Sequence, residues 1–195
     1  MANSRPAVFL DRDGVLNHVV LEDGNPRSPR RMEDFKLCEG AAESLAALKH
    51  AGFLLIVATN QPEVSRGIQR RSRIDSMHEF LMRALPLDEI RVCFHDDADD
   101  CPCRKPKSGL LVEAARDRSI ALSDSYMVGD REKDIEAGRG AGCRTVLISA
   151  PYNQAARTAA DARVRNLHEA AVRILGGRST AAQRHVGSHE PQLGI

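Results

Sequence analysis

The chain has 195 residues, 42% of them hydrophobic and 28% charged, which suits one folded domain with a real core and excludes wholesale disorder. Lys plus Arg is 28 and Asp plus Glu is 27, for a net charge of +1, so overall charge gives no support to nucleic-acid binding. No apolar run approaches the roughly 20 residues of a membrane-spanning helix, and residues 1–6 lack the apolar segment of an export signal. The chain is therefore expected in the cytoplasm, where its five Cys read as thiols or metal ligands rather than a disulfide framework.

Ala7-Val8-Phe9-Leu10 is too short for a helix and stops at Asp11-Arg12-Asp13-Gly14, the pattern of a buried strand entering a loop. Residues 24–31, rich in Pro, Ser and Arg, read as loop. An amphipathic helix is expected over 40–52, closed by Gly52. Residues 53–58 form a second apolar strand that ends at Thr59-Asn60-Gln61. Residues 71–85 read as a helix with Ile74, Met77, His78 and Leu81 on one face, and 90–94 as a short strand. After a Cys-rich loop, 109–119 is expected to be helical, 125–128 a strand ending in Gly129-Asp130, 133–140 a small helix and 145–149 the last strand. A terminal helix is expected over 164–175. From Gly176 the periodicity is lost, so 1–177 reads as a single domain and 178–195 as a flexible tail.

Strands alternating with helices predict an α/β fold: three layers, Rossmann-like, with a parallel sheet covered by helices on both faces. Ligands of such sheets sit at the carboxyl ends of the strands. The polar segments after the strands fall there. Asp11 and Asp13 repel one another unless a cation or a shared proton lies between them. Mg²⁺ is the natural partner of such hard oxygen ligands; Asp130 can add another carboxylate and Asp134 can support the site from one helical turn further on. Alone, Asp-x-Asp-Gly is also an ordinary turn signal. Its company at the other strand ends argues for a site.

Cys93, His95, Cys101 and Cys103 form C-x-H-x5-C-x-C. Three thiolates and one imidazole suit tetrahedral Zn²⁺, and a closed set of four protein ligands is structural. The loop also carries Asp96, Asp97, Asp99 and Asp100 and is too polar to pack a core of its own, so a metal would pin it. Cys38 and Cys143 lack such partners and read as small buried apolar residues.

Four segments resemble, in order, the four motifs of the haloacid-dehalogenase-like (HAD) phosphatases: FLDRDGVLN (9–17), VATNQ (57–61), CRKPKSG (103–109) and VGDREKD (128–134). The resemblance covers roughly residues 7–150. It implies that Asp11 is a nucleophile that takes the phosphoryl group as an aspartyl-phosphate. It implies that Asp13 protonates the leaving oxygen and then activates water, so that Asp13 must be protonated when substrate binds. Thr59 and Lys105 would hold the phosphoryl oxygens, and Asp11, the backbone carbonyl of Asp13 and Asp130 would bind Mg²⁺. The intervals between motifs leave no room for a cap domain, so the site should be open.

The zinc loop directly before Cys103-Arg104-Lys105-Pro106 resembles the capless branch holding histidinol-phosphate phosphatases and D-glycero-D-manno-heptose-1,7-bisphosphate 7-phosphatases. The shortness of the loop looks more like the former. The stretch 59–67 looks more like the latter, although it departs from their usual S-G-I-A-R-G. Asn60 is expected to contact substrate, and Arg104 to meet a second anionic group on it. Arg27 and Arg30, in a basic loop with Arg31, are expected to bind a distal phosphate, which favours a bisphosphate. The expected reaction is hydrolysis of heptose 1,7-bisphosphate at its 7-phosphate, with histidinol phosphate as the alternative. The expected partner is a small phosphorylated molecule, with no nucleic acid and no membrane, and the expected state is a monomer.

Overall fold

The computed structural model describes residues 4–154 and 158–186. Runs of consecutive apolar residues such as AVFL and LLIVA are buried on both faces only within a parallel sheet that has helices above and below it. Six strands build that sheet: β1 (Ala7–Leu10), β4 (Leu54–Asn60), β5 (Glu89–Cys93), β6 (Tyr126–Gly129), β7 (Arg144–Ile148) and β8 (Ala162–Val164). Their order is β5-β4-β1-β6-β7-β8, and all five pairings are parallel. Helices α1 (Ala41–His50), α2 (Arg71–Ala84), α3 (Gly109–Arg118), α4 (Glu132–Gly140) and α5 (Leu167–Val186) cover it. A separate antiparallel ribbon, β2 (Val20–Glu22) and β3 (Asn25–Arg27), follows β1.

Alternate strand residues serve two cores, as the two-residue period requires. Val8 and Leu10 of β1 and Leu55 and Val57 of β4 pack with Leu45 and Leu48 of α1, Ile74 and Met77 of α2, and Ile174 of α5. Ala7 and Phe9, with Leu54, Ile56 and Ala58, pack with Leu110, Leu111 and Ala114 of α3. The centre of the sheet positions the site. Leu10 pairs with Val57 on one side and Val128 on the other. From β1 the chain runs outward to β4 and β5, then crosses back to β6, β7 and β8. That reversal opens a crevice beyond the carboxyl ends of β1, β4 and β6, where Asp11, Thr59 and Asp130 stand.

The structure departs from the sequence expectations at three places. Residues 24–31 were expected as loop, but the first half pairs with 20–22 around Asp23-Gly24, both of positive φ. Asp-Gly is a hairpin signal, masked here by strands of three residues and by Pro26. Strand β8 was not expected: three residues are too few to show a period, and pairing with β7 alone fixes them. The terminal helix begins at Leu167 and continues to Val186, through Gly176 and Gly177 and into the expected tail. Two glycines cost a helix about 1 kcal/mol each, too little to end one anchored by buried Ala170, Ala171 and Ile174. The remainder of the expected tail, 187–195, lies outside the described residues. Among the described residues no helix is long and apolar enough to cross a membrane.

Ser125 ties the start of β1 to the segment before β6. Its hydroxyl oxygen accepts from the Ala7 N–H (2.9 Å) while the hydroxyl donates to the Ala121 carbonyl. Ser125→Ala leaves a buried N–H unpaired, a cost of about 1–3 kcal/mol. Denaturant unfolding is expected to show that loss with an unchanged m-value.

Candidate active site

Three acidic side chains converge behind the crevice. Asp11 follows β1, Asp130 follows β6 and Asp134 lies one turn into α4; all three are buried, and each offers an oxygen within 4.8 Å of the others. Close approach needs glycine at Gly14, with φ +84°, where a Cβ would sit 2.3 Å from Asp130 Oδ2. Lys105 reaches in from the loop before α3. Its Nζ lies 2.9 Å from Asp11 Oδ1 and 2.6 Å from Asp134 Oδ1. Burial opposes the charge of Lys105, but the two carboxylates outweigh it and hold the ammonium above its ordinary value. Burial pushes Asp130 up to about 7, and the charges of Asp134 and Asp11 push the same way. Burial also raises Asp11, against the pull of Lys105. Asp130 Oδ1 is buried without a hydrogen-bond partner. An orphaned carboxylate oxygen facing two further carboxylates fits a hard, oxygen-liganded cation.

Asp13 belongs to a different set. Its carboxylate takes Arg12 Nη2 at 2.8 Å and Nε at 3.1 Å, Asn17 Nδ2 at 2.9 Å, Ser28 Oγ at 2.8 Å and Gln61 Nε2 at 3.0 Å. Burial raises Asp13, but the Arg12 guanidinium and the hydrogen bonds from Arg12, Asn17 and Gln61 prevail and hold it below the usual carboxylate range. Asp13 is therefore ionised at neutral pH. Arg12 itself is wholly buried. It donates to Gln61 Oε1 at 3.1 Å, lies 3.1 Å from His78 Nε2 and stands 5.6 Å from the Phe35 ring centre. Burial, reinforced by the Arg12 charge, pushes His78 down to about 4, so the ring is neutral and its Nε2 accepts.

Cys93, His95, Cys101 and Cys103 meet at the edge of the sheet. The Sγ atoms of Cys93 and Cys101 are 3.6 Å apart, those of Cys101 and Cys103 3.3 Å, and His95 Nδ1 lies 3.7 Å from Cys93 Sγ and 3.3 Å from Cys103 Sγ. A tetrahedron with Zn–S near 2.3 Å has S···S edges of about 3.8 Å, so the four donors fit such an ion with little adjustment. Arg104 follows directly. It clamps Asp97 with Nε at 2.7 Å and Nη2 at 3.1 Å and donates from Nη1 to the His95 carbonyl at 3.1 Å.

A polar cleft of about 260 Å³ opens above Asp11, Asp13, Thr59 and Asn60. Five cationic side chains line it, Arg27, Arg66, Arg104, Arg131 and Lys133, together with the carboxylates of Asp11, Asp13, Glu63 and Asp97, and Arg66 and Arg104 both pair with Asp97; the cations suit an anionic ligand. A family model described as HAD-hydrolase-like matches residues 102–170. The D-glycero-beta-D-manno-heptose-1,7-bisphosphate 7-phosphatase of Helicobacter pylori (strain ATCC 700392 / 26695) is 34% identical over 152 residues, covering 75% of this chain and 84% of that relative. The chain belongs to the HAD-like phosphatases. A relative of the same name from Photorhabdus laumondii is 32% identical over 191 residues, 90% of this chain and 98% of its own. The solved D,D-heptose 1,7-bisphosphate phosphatase from B. bronchiseptica, complexed with magnesium and phosphate, shares the fold with a TM-score of 0.76 at 24% identity, covering 88% of this chain and 99% of that one.

In this phosphatase the fold brings Asp11, Asp13, Thr59 and Lys105 together and places Asn60 in the cleft lining, while Arg30 stands outside it. The Asn60 side chain is spent on the backbone of Lys105, donating to its carbonyl at 2.9 Å and accepting from its N–H at 3.1 Å. It therefore holds the Lys105 loop. Arg30 faces Glu22 at 3.1 Å in an exposed pair, outside the cleft that Arg27 lines. The side chain of Asp13 is apart from the carboxylate cluster, to which Asp134 belongs; the donor expected of Asp13 is its backbone carbonyl. Sequence reasoning missed Arg66, Arg131, Lys133 and Ser28 in the cleft wall. Arg131 and Lys133 were within reach, since they follow a strand end already marked by Asp130. Ser28 and Arg66 come from loops that carry no period.

The His78 ring is expected to titrate near pH 4, against about 6.5 in the unfolded chain. The unfolded state takes up this proton first as pH falls, so the neutral ring contributes stability above 6.5 that is lost between 6.5 and 4. An NMR titration of the His78 ring with a midpoint near 6.5 would contradict the burial of the Arg12–His78 contact.

Proposed function

We propose that this phosphatase hydrolyses the 7-phosphate of D-glycero-D-manno-heptose 1,7-bisphosphate, with Asp11 as nucleophile and with Mg²⁺ and Zn²⁺ as its metals. The observation that carries the reading is the separation of the two aspartates. Asp11 sits with Lys105 and the cation-binding carboxylates, while Asp13 stands in a proton-handling set on the other side of the same cleft.

In the first step a carboxylate oxygen of Asp11 attacks phosphorus and the bond from phosphorus to the sugar oxygen breaks, leaving an aspartyl-phosphate. Lys105 holds Asp11 in place for the attack, and the Thr59 hydroxyl, whose oxygen already accepts from Gln61 at 2.9 Å, keeps its proton free for a phosphoryl oxygen. The leaving oxygen takes its proton from Asp13. That proton is loaded as the dianionic substrate enters, because an approaching negative charge raises the proton affinity of a carboxylate. In the second step Asp13, again ionised, removes a proton from water, which attacks the aspartyl-phosphate and releases inorganic phosphate. Asp11, Asp130 and Asp134 would surround Mg²⁺, which supplies positive charge against a phosphoryl group that otherwise repels the nucleophile. Zn²⁺ on the four Cys and His donors would fix the loop that carries Arg104 and Lys105.

The bisphosphate is supported by the cationic wall and by the relatives, whose names favour heptose bisphosphate over histidinol phosphate. Arg27 on the β3 ribbon and Arg104 on the zinc loop face the cleft from two sides and are our choice for the distal phosphate. Residues 1–177 are read as one catalytic unit. A reducing, cytoplasmic compartment suits a thiolate site. Among the described residues the large exposed apolar side chains are Leu21, Met32, Ile68, Met82, Val112 and Val172, spread over the ribbon, two loops and three helices, and we read the protein as a monomer.

Phosphate release measured side by side is expected to show a large kcat/KM preference for heptose 1,7-bisphosphate over histidinol phosphate; the opposite ratio would reassign the substrate. Asp11→Asn is expected to lose at least a thousandfold in kcat at an unchanged melting temperature, and near-normal turnover would remove Asp11 as nucleophile. Elemental analysis should find one zinc per chain in the native protein and a marked loss in Cys101→Ser.

A further inference from the structure

Asp130 is not held by the groups that surround the cation site. Its Oδ2 accepts from the Tyr152 hydroxyl at 2.7 Å, its one hydrogen bond, with the Arg131 Nε further off at 3.4 Å, while Oδ1 is buried with no partner. Tyr152 lies in the short turn after β7, outside all four motifs, and nothing in its sequence context marks it. The turn is fastened to the end of β6 by Asn153. Its Nδ2 donates to the carbonyl of Asp130 at 2.7 Å and to that of Ile148 at 2.8 Å, and its Oδ1 accepts from the Ala150 N–H at 2.8 Å. The tyrosine ring is fixed from outside by the Arg131 guanidinium, 5.3 Å from its centre. Arg131 in turn donates to the Pro26 carbonyl of the ribbon at 3.2 Å. From inside, Gly14 leaves the space that the hydroxyl and the carboxylate share. A Cβ there would lie 2.3 Å from Asp130 Oδ2 and 2.8 Å from the Tyr152 hydroxyl.

We propose that Tyr152 is a positioning residue for the cation site: by pinning one oxygen of Asp130 it presents the other, and only the other, to the ion shared with Asp11. A carboxylate free at both oxygens rotates and can chelate with both. One anchored by an O–H is a one-oxygen ligand already turned to its task, and losing such an outer partner typically costs 10–100-fold in metal affinity. Tyr152 would thus set how tightly the cation is held without touching substrate. The proposal rests on the phosphatase reading above and deepens it.

The test is Mn²⁺ titration of the metal-stripped full chain, read by the electron paramagnetic resonance signal of free Mn²⁺, for the native protein, Asp130→Asn and Tyr152→Phe. The native protein should show a site that Asp130→Asn abolishes. Tyr152→Phe, isosteric and without the hydroxyl, should bind 10–100-fold more weakly while its metal-free melting curve stays close to native. In turnover the Mg²⁺ activation constant should rise by the same factor, with kcat at saturating Mg²⁺ and the substrate KM close to native. A purely structural role would move the melting curve and leave the metal constants alone. Mn²⁺ affinity within twofold of native in Tyr152→Phe overturns the proposal while leaving the phosphatase reading intact. Absence of any Asp130-dependent site in the native protein overturns the cation reading and the proposal together.

Discussion

Everything at the head of the sheet is organised by like charge in a confined space. Asp11, Asp130 and Asp134 are buried together with Lys105 as the cation that touches two of them. Carboxylates so placed resist ionisation, and the shifts of Asp11 and Asp130 record it. A cation drawn among them would relieve that repulsion and favour the ionised forms. The strand order makes the arrangement possible. Because β1 lies between β4 and β6, residues separated by more than a hundred positions end on one crevice.

Asp13 is kept apart from that cluster in a second buried ion pair. Arg12 and Asp13 are neighbours in sequence, yet their pairing needs Gln61 from the end of β4 and His78 from α2 to take the remaining guanidinium hydrogens. A buried ion pair contributes little net stability by itself. Its value here is a fixed, ionised carboxylate at the mouth of the cleft. Two small appendages add to the walls of that cleft beside Arg66, Arg131 and Lys133. The β2–β3 ribbon brings Arg27 and Ser28, and the Cys-rich loop brings Arg104 and Asp97. Neither has an apolar core of its own. The ribbon leans on Arg131 and Asn17-Leu37 pairing, and the loop is organised around four metal-competent donors.

Strands β1 and β4 were legible because each opens as a short apolar run that stops at polar residues, and α1 and α2 because their apolar positions recur at helical spacing. The motif residues were legible because turn-forming and acidic side chains cluster at strand ends. What stayed hidden is short or depends on company. Strand β8 exists because β7 offers an edge, and α5 outruns its glycines because its first turns are packed against α1 and the sheet. Asn60 read as a substrate contact from its place in a motif; that its amide also grips the Lys105 backbone was not legible.

The sequence by itself determined the main alternation of strands and helices, the four motifs, the Cys and His quartet that could hold a metal and the identity of the two aspartates, since all of these are written in local pattern and spacing. Only the tertiary structure decided their electrical state and their company. Which carboxylate is ionised, which oxygen is left without a partner, and that Asp134 and Tyr152 complete the surroundings of Asp130 are properties of distance and burial. Those fall steeply with separation in space and bear no relation to separation along the chain.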